Sequence, residues 1–133
     1  MGEIMGWARA AVGAGMVVAP GAFLRLSGRE APTPVSVLLM RTIGIRDVVL
    51  GAGTVVAARR GSDDDLLAWN LAGLGSDSID VAASLAAGRS IGRAESVGAA
   101  GAALVFVVGD LAACRGLRRR GRPVPLDPGE PPA

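Results

Sequence analysis

The sequence predicts an all-α, up-down four-helix bundle integral to a membrane, and three observations predict it. Four apolar segments lie along the chain, at about residues 4–24, 35–57, 66–87 and 96–114. Each is near the roughly 20 residues needed to cross a hydrocarbon core. Their connectors, RLSGREAPTP, ARRGSDDD and GRSIGRAE, are short and polar, which lays consecutive helices antiparallel. The composition is apolar but small: half of the 133 residues are hydrophobic and 20 are glycine, while the aromatics are limited to Trp7, Phe23, Trp69 and Phe106. A water-soluble core of this size draws on more aromatic area, whereas small residues suit the close helix contacts that hold bundles together in lipid.

The first segment, 4–24, carries Arg9 and ends near Pro20. A secretory signal peptide is the alternative reading of this run, with Arg9 closing a weak n-region and Ala10–Ala19 as the h-region. Glu3 offsets the positive charge, however, and the small-residue cleavage site is poor.

The second segment, VSVLLMRTIGIRDVVLGAGTVVA, holds Arg41, Arg46 and Asp47 inside an apolar run. Facing lipid, each unpaired charge costs several kcal/mol, so these charges must turn inward and be answered from other helices. At 100° per residue Arg41, Gly44, Asp47 and Gly51 share one side, and the two glycines admit a neighbouring backbone. Arg46 points elsewhere, near Thr42 and Gly53, and needs a partner on another helix, a protomer contact or a route to snorkel.

The third segment supplies the answer. Asn70, Gly73, Asp77, Asp80 and Ser84 fall three, four or seven residues apart, in one polar stripe. With about 1.5 Å of rise per residue, Arg41 shares a depth with Asp80, and Arg46 or Asp47 with Asp77. The fourth segment is the shortest. Its Asp110 lies roughly 7 Å off centre toward the face bearing the termini, as does Arg9 in the first, and the two are expected to form a structural clasp. Cys114 reads as a small buried apolar residue, with a lipidation or reactive-thiol position as the other reading. Trp7 and Trp69, near segment ends, fit an interfacial belt.

Residues 1–114 thus form the four-span domain. Residues 115–133 form a tail, basic through Arg115, Arg118, Arg119, Arg120 and Arg122 and then Pro-rich and disordered, RPVPLDPGEPPA. If the N-terminus is cytoplasmic, that side holds Arg59, Arg60 and the five tail arginines, against Arg25, Arg29, Arg89 and Arg93 on the other. The excess places both termini in the cytoplasm and the protein in a bacterial inner membrane.

Several chemistries are excluded. With no histidine and only Cys114, intrachain disulfides, His/Cys metal sites and Ser-His-Asp catalysis have no residues to use, and no cofactor is expected. A net charge of +2 is too small to imply nucleic acid, and the arginine cluster lacks stacking platforms. It fits a topology signal or a contact with anionic lipid. All 14 basic residues are arginine, which reads as coding bias. VVLGAGTVVAARRGSDDD imitates a dinucleotide fingerprint, but Val56 occupies the third glycine position and no crossover helix fits before Gly61.

The segment Arg41–Gly51, RTIGIRDVVLG, resembles the R-x-x-G-x-R-D-x-x-x-G-like opening of the second helix in a family of small four-helix bacterial and fungal membrane proteins of unknown function. Pro20 and Gly21 are similar to that family's Pro-containing end of the first helix, and Asp77 and Asp80 to its acidic position in the third. A looser likeness is to DoxX-like four-helix membrane proteins. The resemblance implies fold and site, and brings no reaction.

The polar-centre candidates are therefore Arg41, Arg46, Asp47, Asn70, Asp77 and Asp80, with Arg9 and Asp110 as the clasp. Three arginines meeting four aspartates leave one carboxylate over. The ions are either register-fixing contacts or a hydrated site for a polar headgroup, an anion or a proton. The leading function is non-enzymatic: binding a small polar ligand or lipid headgroup, or serving as an accessory subunit. Partners would be membrane lipids, with a second copy or a membrane protein docking on the Gly/Ala faces. The alternative is a membrane enzyme using Asp47, Asp77 or Asp80 as acid/base on a lipophilic substrate. A proton-coupled transporter is the third reading.

Overall fold

The computed structural model describes residues 2–26 and 32–120. Among these the chain is all-helical: α1 (Gly2–Val18), α2 (Pro20–Leu26), α3 (Pro34–Arg60), α4 (Asp63–Ile91) and α5 (Arg93–Arg120).

The first apolar segment is not one straight helix. Pro20 has no N–H to give and its ring collides with the carbonyl one turn back, so α1 stops at Val18 and α2 leaves it at 105°. The Ala19 N–H still reaches the Gly15 carbonyl at 2.8 Å, while the Ala19 carbonyl accepts from Ala22 at 3.0 Å. The short α2 folds back until the Phe23 ring lies against Gly15, where an added Cβ would come within 2.9 Å of it.

The three long helices are bounded by local chemistry. Thr33 caps α3 in a reciprocal box with Ser36: the Ser36 N–H donates to Thr33 Oγ1 at 3.1 Å and the Thr33 N–H to Ser36 Oγ at 2.9 Å, with Pro34 at the first helical position. Gly61, at φ 68, ends α3 in the left-handed conformation that suits glycine. Ser62 then caps α4 by accepting from the Asp65 N–H at 3.2 Å, and Asp63, Asp64 and Asp65 place negative charge at the positive end of the helix. Gly92, at φ 94, separates α4 from α5.

The connectors are accordingly more helical than their polarity suggests. ARRGSDDD reduces to Gly61 and Ser62, and GRSIGRAE to Gly92. The basic stretch assigned to a tail from residue 115 continues α5 as far as Arg120. A run of arginine favours helix as well as most residues do, and arginine suits the negative C-terminal end. The Pro-rich segment and Arg122 lie outside the described residues.

The closest packing pairs α1 with α3 and α4 with α5, and the two pairs meet mainly through α3 and α4. Gly6 and Gly13 of α1 face Gly51 and Gly44 of α3. A Cβ on Gly13 would stand 2.6 Å from the Gly44 carbonyl oxygen, and one on Gly51 would stand 2.5 Å from that of Gly6. Backbone here lies on backbone. Trp69 of α4 covers Gly53 of α3, and Met5 of α1 covers Gly109 of α5. Ser96 Oγ donates to the Ser84 carbonyl at 2.6 Å, tying α4 to α5 near their junction.

The interior is polar and the exterior apolar. On α4 Asp77 is 2% exposed while Ile79 is 69% exposed, and on α5 Asp110 is 4% exposed while Val108 is 61% exposed. Among the described residues, buried hydrophobic side chains are few and mostly small, with Leu24 and Val55 the largest.

Candidate functional site

Six charged side chains from four helices meet inside. Arg9 of α1 is the hub. Its Nη1 donates to Asp77 Oδ1 at 3.2 Å, and Nη2 donates both to Asp77 Oδ2 and, at 2.8 Å, to Asp110 Oδ2. Asp47 Oδ1 is 3.6 Å from Nη1. The guanidinium also lies over the Phe106 ring, 4.6 Å from its centroid, in reach of the ring's negative face. The fork of arginine suits this role, because its donors are fixed in one plane and match a carboxylate in pairs.

Arg46 of α3 forms the second layer. Its Nε and Nη2 donate to Asp47 Oδ1 at 3.3 and 3.1 Å. Nη1 is 2.8 Å from Asp80 Oδ2, and Nη2 is 3.7 Å from Asp77 Oδ1. Arg9, Asp47, Asp77 and Asp110 are fully enclosed, whereas the side chains of Arg46 and Asp80 are 30% and 34% exposed. That exposed edge borders a cavity of about 330 Å³. Arg46, Asp47, Asp77, Asp80 and Ser84 supply its polar wall, and Met16, Phe23, Met40, Ile43 and Phe106 the apolar one.

The placement of the predicted residues is mixed. Asp47, Asp77, Asp80 and Arg46 converge. Arg9 and Asp110 do touch, but the clasp is part of the centre and not a separate contact. Gly73 makes this possible, since a Cβ there would stand 2.5 Å from Asp110 Oδ2 and 3.3 Å from Arg9 Nη2. Its position one turn before Asp77 was the available signal.

Arg41 does not join the centre. It is exposed and forms no ion pair among the described residues, and Arg46 takes the Asp80 carboxylate assigned to it. Side chains on a helix lean toward its N-terminus. Matching Cα depths therefore misplaces a long arginine by about a turn, and it is Arg46 that reaches Asp80. The balance within the centre is thus two arginines to four aspartates, not three to four.

Asn70 is buried on the inward stripe, but its Nδ2 donates to the Leu66 carbonyl at 2.6 Å and its Oδ1 has no partner among the described residues. It makes no contact with the six charges among the described hydrogen bonds. The methionine and phenylalanine wall went unread in the sequence. Phe106 alone carried a signal, four residues before Asp110 and so on the same helix face. Cys114 is buried and unpaired.

Comparison of the chain with protein-family models, with curated proteins and with solved structures gives no match.

Proposed function

We propose that the chain is a membrane-embedded up-down bundle of four spanning elements, α1–α2, α3, α4 and α5, whose polar centre binds a small polar ligand or lipid headgroup. The observation that carries this reading is the inverted polarity: carboxylates and guanidinium enclosed, valine, leucine and isoleucine outside. In water such a surface would drive association. In lipid it is the solvated surface, and the enclosed ions are the expensive groups that pairing satisfies.

By length and composition α5 is apolar enough to cross a membrane from Ser96 to Arg119, and α1 with α2 qualifies as a bent pair. Helices α3 and α4, of 27 and 29 residues, extend about 40 Å at 1.5 Å per residue, longer than a hydrocarbon core of about 30 Å. Their hydropathy is lowered by Arg41, Arg46 and Asp47 on α3 and by Asp77 and Asp80 on α4, all but Arg41 being paired inside. The arginine count favours an inner-membrane orientation with both termini cytoplasmic. The likeness of Arg41–Gly51 to small four-helix membrane proteins belongs to the same proposal.

The cavity favours ligand binding over a purely accessory role, which needs none. It also favours one second reading, in which Asp80 serves as acid/base on a lipophilic substrate held along the apolar wall. Alkaline carbonate extraction tests the membrane placement. Retention in the membrane pellet is expected, and release into the soluble fraction contradicts it. C-terminal reporter fusions active in the cytoplasm support the orientation, and fusions active only in the periplasm overturn it.

A further inference from the structure

Among the described residues the centre holds four carboxylates and two guanidiniums, Arg41 being outside it. With all four carboxylates ionised, two negative charges are in excess where water is scarce, and uncompensated charge in such surroundings costs several kcal/mol. Asp47, with its side chain 5% exposed, meets both arginines through Oδ1. Its Oδ2 has no hydrogen bond to the described residues, and the carboxylate lines the cavity. Asp80 meets Arg46 through Oδ2 and is part-exposed on the same cavity. Arg46, the arginine on that wall, pairs with Asp47 at 3.1 Å and Asp80 at 2.8 Å and stands 3.7 Å from Asp77.

The far wall suits an organic group. Met16 and Met40 are polarisable and adaptable, Phe23 and Phe106 line the same side, and about 330 Å³ lies within the range of small-molecule pockets.

From this we infer that the cavity binds an amphiphilic organic cation, a primary ammonium or amidinium bearing an apolar chain. Its head sits between Asp47 and Asp80, and its chain lies along Met16, Met40 and Phe106. The assignment rests on the ligand-binding reading above and adds the sign and class of the ligand. An anion would add a third negative charge to a wall on which carboxylates outnumber the one arginine, Arg46.

The test is equilibrium dialysis of the detergent-purified full chain against two probes of equal chain length and opposite charge, octylammonium and octanoate. Saturable octylammonium binding is expected, at least tenfold tighter than octanoate. Asp80→Asn should weaken it about tenfold, and Ala103→Leu, which fills the cavity from α5 without touching the charges, should abolish it while leaving the thermal melt near wild type. Saturable octanoate with no saturable octylammonium overturns the cationic assignment and leaves a ligand-binding centre in place. Absence of saturable binding by either probe overturns both readings of the cavity, leaving the membrane placement to carbonate extraction. Octylammonium binding unchanged in both variants also overturns the assignment.

Discussion

Arg9 and Asp110 lie 2.8 Å apart and join α1 to α5 across a separation of 101 residues. The same guanidinium holds Asp77 of α4 with both of its terminal nitrogens and stands 3.6 Å from Asp47 of α3. One side chain thus links α1, α3, α4 and α5, from a position that local propensity does nothing to mark.

Replacing it should be severe. Arg9→Ala leaves three enclosed carboxylates short of their cation and is expected to cost about 3–5 kcal/mol. In the cycle with Asp110→Ala the double variant should recover part of that loss, and not all of it, since Asp77 and Asp47 stay uncompensated. Thermal unfolding in detergent reads the cycle, and strictly additive losses would reject the pairing.

The two arginines of α3 should behave oppositely. Arg41→Ala is expected to be neutral or stabilising, because it removes an exposed arginine without an ion pair among the described residues from an apolar surface. Arg46→Ala should cost more than about 1 kcal/mol, because it strips Asp47 and Asp80 of their partner. Equal losses in the two variants would contradict the reassignment of Asp80 from Arg41 to Arg46.

Much of this centre was legible in the sequence. Charges inside apolar runs identify Arg9, Arg46, Asp47, Asp77, Asp80 and Asp110, because nothing but mutual pairing stabilises them there. Helical spacing put the Asn70–Ser84 stripe inward. The lean of long side chains was not legible from Cα depth, and Arg41 was misassigned for that reason. The break at Ala19 was legible from Pro20, which cannot continue the helix. The connectors looked like loops because they are polar, yet one or two residues suffice when the flanking helices carry their own caps.

Glycine substitutions should separate packing from propensity. On Gly13 a Cβ meets the Gly44 carbonyl at 2.6 Å and the Val48 nitrogen at 2.8 Å, whereas on Gly75 it meets nothing within 4 Å. Gly13→Ala should therefore destabilise by about 1–3 kcal/mol through overpacking. Gly75→Ala should stabilise by up to about 1 kcal/mol through helix propensity. Melts of both variants in one detergent test the pair, and a stabilised Gly13→Ala would contradict the α1–α3 contact.

Glu3, in the first turn of α1 and before the apolar run that begins at about residue 4, provides a pH test. Its hydrogen bond from Arg59, at 3.0 Å, holds the carboxyl below its ordinary value of 4.5. A depressed value in the folded state means a contribution present above the unfolded value and lost as the pH falls through the folded one. Glu3→Gln should remove that acid-side loss and leave the neutral-pH melt almost unchanged, as an exposed pair implies. A wild-type melt whose acid limb matches that of the variant would contradict it.

The central claim is that the apolar exterior faces lipid, including on α4, which carries two charges that pair inside. A spin label at Ile79→Cys in a Cys114→Ser background, reconstituted in vesicles, measures this directly by its collision rates with oxygen and with a water-soluble nickel chelate. The account predicts collisions dominated by oxygen, as lipid exposure requires. Dominance of the nickel chelate at position 79 would contradict it.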